Sequence, residues 1–190
     1  MTRDAITAAA RAQFAEVGYD RATIRVIAAD AGVDPALVVR FFGSKEELFR
    51  QVMALPPNVA DAFAGLAHGP RETVGRRLAQ LIVGVLEEPA TRAVVLGRIR
   101  SATSHPDAAA LVRETVTRDM LRLASALTDD EPETRATLVG THVVGLALVR
   151  HVVAVEPLAT MPAAEVVDLT APTLQHYLTG PLRADTRGPG

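Results

Sequence analysis

The chain has 190 residues, with 20 lysines and arginines against 22 aspartates and glutamates and a formal charge of -2 at pH 7. That length accommodates one core, or one core with a smaller satellite, and the charge excludes attraction to nucleic acid through bulk basicity, leaving only local clusters. Cysteine is absent, which excludes disulfides, thiolate metal sites and thiol nucleophiles.

No basic segment leads into an apolar one at the start, so a cytoplasmic protein is expected. The most apolar stretch, residues 139–149, is eleven residues long. It is too short to span a bilayer, so no membrane partner is expected. Two asymmetries lie beneath the totals. Lys45 is the only lysine, and five of the seven Phe and Tyr residues (Phe14, Tyr19, Phe41, Phe42, Phe49) fall within the first 49 positions. An aromatic core near the start and an aliphatic one afterwards are expected, with a break near Pro56-Pro57-Asn58.

From Asp4 to Val17 the apolar residues Ile6, Ala9, Ala10, Phe14 and Val17 recur about every 3.6 residues, which predicts a helix closed by Gly18. Thr23 caps a second helix whose inner face is Ile24, Ile27, Ala28 and Ala31, ending at Gly32. Asp34 is an N-cap and Pro35 the first helical position of a third helix, which runs to Phe42 and stops at Gly43. Ser44 and Glu47 have the spacing of a capping box for a fourth helix. Two short helices joined by a tight Gly-containing turn form a helix-turn-helix unit, whose second helix enters the DNA major groove.

The run from Ile6 to Phe49 contains AxxxFAExGY, TIRxIAxxAGV and FGSKEELF in that order. It resembles the TetR family of bacterial transcriptional regulators. The resemblance implies an all-α homodimer with a three-helix, helix-turn-helix DNA-binding domain over residues 1–50. A helical bundle for effector binding and dimerisation would follow over 51–180, and residues 181–190 would form a flexible tail. It implies no cofactor, and a repressor that leaves a palindromic double-stranded operator when a small molecule binds.

The third helix, residues 34–42, is the recognition segment. Val38 and Phe42 are four apart and read as core; Ala36, Leu37, Arg40 and Phe41 lie on the other side. Family members commonly carry tyrosine at the position of Val39 and histidine at that of Phe41, and both are apolar here. Arg40 is therefore the only charged donor of the helix, free to pair with guanine O6 and N7, to grip phosphate or to stay a solvated surface side chain. Leu37 either presses on a thymine methyl or packs inside the domain. Lys45 opens the fourth helix, where unpaired backbone N–H groups attract an anion and a lysine is useful only with a phosphate nearby. The family places a phosphate-contacting lysine there. Thr23 and Arg25 open the helix that crosses the backbone, with Thr23 acting first as a cap. The first fifty residues hold seven basic and seven acidic side chains. Arg3, Arg25, Arg40 and Lys45 must then share one side, and a dimer must double the contacts for useful affinity.

Beyond the break, helices are predicted over Ala54 to Leu66, Arg71 to Glu88, Thr91 to Ser104, Asp107 to Leu127, Pro132 to Val155, and from Pro162 to before Gly180 with a bend at Pro172. The last two are apolar over much of their girth. Val139, Val143, Leu146 and Val149, with Val167, Leu174 and Leu178, are the expected dimer interface, since the family pairs its last two long helices; burial within the chain's own domain is the alternative. Arg98, His105, Met120 and His142 are candidate effector-pocket groups. For His142 an ordinary core or interface role stays open, and for the arginine a surface ion pair. Small aliphatic side chains would suit a largely apolar effector. The five histidines have no ligand spacing, and no serine elbow, phosphate loop or HExxH appears, so neither a metal nor enzymatic activity is expected. A helical interaction protein without specific DNA binding is the alternative reading, and a metal-independent enzyme a more distant one.

Overall fold

The computed structural model describes residues 2–183, so residues 184–190 of the expected tail lie outside the described residues. Every regular element among the described residues is helical. The chain divides into two compact units: the described residues up to Pro57 with Val85–Thr115, and Asn58–Gly84 with the described residues from Val116 onward.

In the first unit, α1 (Thr2–Arg21) buries Ile6, Ala10 and Phe14 at four-residue steps. At Gly18 its backbone turns to φ 77°, ψ 177°, a conformation open essentially to glycine alone. The expected helix end is thus a kink, after which Tyr19 enters the core and a further turn runs to Arg21. The short helices follow their predicted caps. Thr23 Oγ1 accepts the Val26 N–H (3.2 Å) ahead of α2 (Ile24–Asp30), and the Asp34 carboxylate accepts the Ala36 N–H (2.7 Å) ahead of α3 (Pro35–Phe42). Gly43, at φ 82°, ends α3. Ser44 Oγ accepts the Glu47 N–H (3.1 Å) at the start of α4 (Lys45–Val52). The Glu47 carboxylate turns to Arg50 and Gln51, so only half of the capping box forms.

Phe49 is the centre of this core, meeting Phe14 edge-on at 4.9 Å and Tyr19 edge-on at 5.2 Å between ring centroids. Val38 and Phe42 are buried, as their spacing predicted. Two later helices belong to the same unit: α7 (Pro89–Ala102), capped by the Glu88 carboxylate on the Ala90 and Thr91 N–H groups, and α8 (Pro106–Thr115). A boundary at residue 50 leaves them out. Gly97 explains their inclusion: a Cβ there would stand 2.8 Å from Met53 Sδ and 3.3 Å from the Ala15 nitrogen. Only a bare backbone lets α7 come so close to α1 and to the end of α4.

The second unit has an aliphatic core that includes Leu78, Ile82, Leu123, Val139, Val166 and Leu174. Its helices are α5 (Pro57–Gly65), α6 (Val74–Glu87), α9 (Leu121–Leu127), α10 (Pro132–His151) and α11 (Ala163–Thr179), those at its margins in part. Four predicted spans change, the helix expected from Arg71 beginning at Val74 after a 3₁₀ turn at Arg71–Thr73. The one expected from Ala54 begins at Pro57 and gives way to a 3₁₀ turn at Leu66–His68; the helix expected over Asp107 to Leu127 is interrupted by a π turn at Val116–Met120; and α10 stops at His151 instead of Val155. Arg135, 2% exposed, donates to the carbonyls of Asp130 (2.6 Å), Tyr177 (2.8 Å) and Gly180 (2.9 Å) and to the Asp130 carboxylate (2.5 Å). Two of those carbonyls belong to the end of α11, where the helix itself offers no N–H partner. Among the described residues no helix is long and apolar enough to cross a membrane.

Candidate nucleic-acid interface

At about 100° per residue, the buried side chains Val38 and Phe42 turn Ala36 and Arg40 to the opposite side of α3, and both are exposed. Val39 and Phe41 flank them, 50% and 41% exposed. Leu37 is half-buried, so it straddles its two predicted roles. Thr23 and Arg25 are exposed at the start of α2, and the Thr23 hydroxyl oxygen is engaged as the cap.

Lys45 is not extended into solvent. Its Nζ lies 4.3 Å from the Tyr19 ring centroid and donates to the Asp20 carbonyl at 3.4 Å. Partial burial lowers its pKa against the opposing pull of Asp20 and Glu46. Glu46 supplies the negative charge at the α4 N-terminus. Its own backbone N–H, then the Ser44 and Tyr19 hydroxyls, hold its carboxyl below the usual carboxylate range. Burial, with Glu46 beside it, raises the Tyr19 hydroxyl to about 12. Arg3 donates to Gln51 Oε1 (3.1 Å) and lies 5.1 Å over the Phe42 ring.

Of the four candidate pocket residues, Arg98 and His105 belong to the first unit, Met120 and His142 to the second. Arg98 is buried, and its Nε donates to the Met53 carbonyl at 2.5 Å. It is thus not a surface residue, and this bond ties it to the end of α4. His105 lies 3.7 Å from the Tyr19 ring, with Nδ1 buried and lacking a hydrogen-bond partner. Met120 is buried in the π turn, and His142 is half-buried with Nε2 lacking a partner; burial lowers its pKa. A cleft of about 230 Å³ in the first unit is lined by Tyr19, Phe49, Asp107 and Glu114 among others. A crevice of about 20 Å³ in the second, beside Phe63 and Arg122, has room for about one water.

The apolar stripe expected to meet a second copy is mostly turned inward. Val139, Leu146, Val167, Leu174 and Leu178 are buried by the chain's own residues, while Val143 and Val149 keep part of their surface. The physical reason is that α10 and α11 need those positions to close their own unit. The large apolar residue left outward on α11 is Leu169, 61% exposed.

Sequence reasoning missed how the first unit is tied together. Arg100 donates to the Ala15 carbonyl and to that of Glu16 (3.2 Å), Arg11 Nε to the Val52 carbonyl (2.8 Å), and the Tyr19 N–H to Ser101 Oγ (2.9 Å). Gly97, amid larger residues on α7, was the available signal.

These features define a helix-turn-helix protein with an α-helical companion unit. Residues 6–52 match the family described as "Bacterial regulatory proteins, tetR family", and residues 72–178 match "Tetracyclin repressor-like, C-terminal domain". A TetR-family regulator from Streptomyces coelicolor is 33% identical, with 93% of this chain and 94% of that one covered at a TM-score of 0.63. GusR of Salmonella enterica shares the fold at 19% identity (93% and 95% covered, TM-score 0.68). So does NalD of Pseudomonas aeruginosa, the secondary repressor of the MexAB-OprM multidrug efflux pump (19%, 89% and 94%, TM-score 0.64). No curated protein matches the sequence. The chain belongs to the TetR family and is a DNA-binding transcriptional regulator. Among the described residues no group of three or more His, Asp or Glu side chains is arranged to hold a metal ion.

Proposed function

We propose that the protein is a homodimeric repressor that holds a palindromic operator through α3 and releases it when a small, largely apolar molecule binds. The observation that carries this reading is the split of α3 into a buried face, Val38 and Phe42, and an exposed one centred on Ala36 and Arg40. Arg40 is the charged contact from the groove-entering helix. Thr23 and Arg25 stand at the backbone, and Lys45 joins them by leaving the Tyr19 ring for a phosphate, which restores the solvation its ammonium lacks in the free protein.

The dimer forms through the outward sides of α10 and α11. Val143, Val149 and Leu169 touch the partner, while Val139, Leu146, Val167, Leu174 and Leu178 support them from behind. His142 and Met120 are assigned to the effector in the second unit. Arg98 and His105, held against Met53 and Tyr19, connect α7 and α8 to the DNA-reading helices. A displaced α7 would pull on the Ala15, Glu16 and Met53 carbonyls and so reorient α1 and α4.

Leu169→Asp tests the assembly, because the side chain is exposed and its replacement leaves the fold intact. Sedimentation is expected to show a dimer for the native chain and a monomer for the variant, with binding to a palindromic duplex lost in parallel. A variant that remains dimeric contradicts the proposed interface.

A further inference from the structure

The reading face of α3 has one charge and two large apolar side chains. Val39 and Phe41 sit about 100° to either side of Arg40, half-exposed, on a helix that sends Val38 and Phe42 inward for its own packing. The fold therefore does not need Val39 and Phe41 in its core. Neither can donate or accept a hydrogen bond, so neither reads an amide, a carbonyl or a phosphate. Among the natural base edges of the major groove, one carries an apolar group: the C5 methyl of thymine.

We infer that Val39 and Phe41 are specificity-determining residues that read thymine methyls on either side of the base step faced by Arg40. The operator half-site accordingly carries A·T pairs at two positions flanking that step. This deepens the proposed function and rests on α3 entering the major groove. DNA is the occupant favoured for this apolar surface because Arg40, the sole charge of the helix, stands between the two side chains. An all-apolar face would suit another protein; a cation framed by methyl-sized contacts suits a groove with phosphates at its walls and methyls on its floor. Thymine also differs from cytosine in the groove by both its methyl and its O4, so an apolar contact there distinguishes A·T from G·C without any polar side chain.

The experiment begins by selecting duplexes from a randomised library with the full-length protein. The preferred duplex is then resynthesised with deoxyuridine replacing thymidine one position at a time, which keeps base pairing and removes only the methyl. Two positions in each half-site are expected to lose about fourfold in affinity per methyl, the loss for about one buried CH₂. Phe41→Ala should abolish the sensitivity at one of these positions and Val39→Ala at the other. Arg40→Ala should weaken thymidine and deoxyuridine duplexes alike. A cytidine placed at either position should weaken binding, with 5-methylcytidine recovering part of the loss. Both alanine variants alter exposed side chains, and an unchanged helical circular dichroism signal confirms their fold. Equal affinity for thymidine and deoxyuridine duplexes at every position overturns the methyl reading while leaving DNA binding in place. Failure to enrich any duplex overturns DNA binding itself.

Discussion

α3 and α10 place side chains opposite to expectation from polarity. The shorter helix holds Val39 and Phe41 out in water, and the longer one draws Arg135 and Arg150 inside. The difference is one of available partners. Arg135 reaches backbone carbonyls at the end of α11, and Arg150 reaches that of Leu158. A guanidinium brings five N–H donors in a flat fork and stays charged, so it can satisfy several such oxygens at once where a lysine ammonium cannot lie flat. The same use recurs elsewhere: Arg11 on the Val52 carbonyl, Arg71 on that of Leu127, Arg77 on those of Leu66 and Pro70, and Arg98 on that of Met53. A chain whose basic residues are all arginine except Lys45 is one in which many of them finish helices. On α3 no such partners are needed, and the outward apolar residues are left for a ligand.

Breaking the α10 side of this contrast should have the largest effect. Arg135→Met leaves the Tyr177 and Gly180 carbonyls without their donor and should cost about 3 kcal/mol, the scale for leaving two such acceptors unpaired. Urea denaturation monitored by circular dichroism measures it; a loss below about 1 kcal/mol, the scale of one ordinary hydrogen bond, would mean that the fork is incidental.

A smaller effect concerns the half-buried His142 on the same helix. Burial lowers its pKa below the ordinary histidine value of 6.5. Its neutral form is therefore favoured in the folded state, so its contribution is complete above 6.5 and is lost as pH falls from there toward the folded value. His142→Leu should lose less thermal stability than the native chain between pH 7.5 and 5.5. An equal loss in both would remove His142 from the acid response.

The smallest effect is expected on α3. Phe41→Ser should cost no more than about 1 kcal/mol, the scale for a ring that is half out of water. Its affinity for the selected duplex should nevertheless fall. A large loss of stability would return Phe41 to the core.

Much of the first unit was legible because its signals are local. Thr23, Asp34 and Ser44 cap the helices that their spacing announced, Gly43 ends α3, and the alternation of Val38 and Phe42 with Ala36 and Arg40 fixes its two faces. What escaped is non-local or without a periodic trace. Positions 112, 116, 120, 123 and 127 keep helical spacing straight through the π turn, so nothing in them marks it. The membership of α7 and α8 in the first unit depends on contacts between segments some eighty residues apart, such as Tyr19 with Ser101. Polarity left both directions open: the surface ion pair considered for Arg98 falls on a buried side chain, and Leu146 and Leu174, expected to meet a partner, are enclosed by their own unit. The charged part of the candidate interface was legible in Arg40 but not in the posture of Lys45, which a ring contact decides.

The central claim is that a nearly neutral head grips DNA through a few placed cations in a symmetric dimer. Fluorescence anisotropy of the selected duplex, titrated with the native chain and with the Arg40→Ala, Lys45→Ala double variant from about 50 to 200 mM salt, tests it most directly. The native dimer should weaken steeply with salt. The double variant should bind less tightly at every salt concentration, with a slope flatter by about one for each lost phosphate contact, or about two for the Lys45 pair. Affinity and salt slope that match the native chain in the double variant would contradict the account.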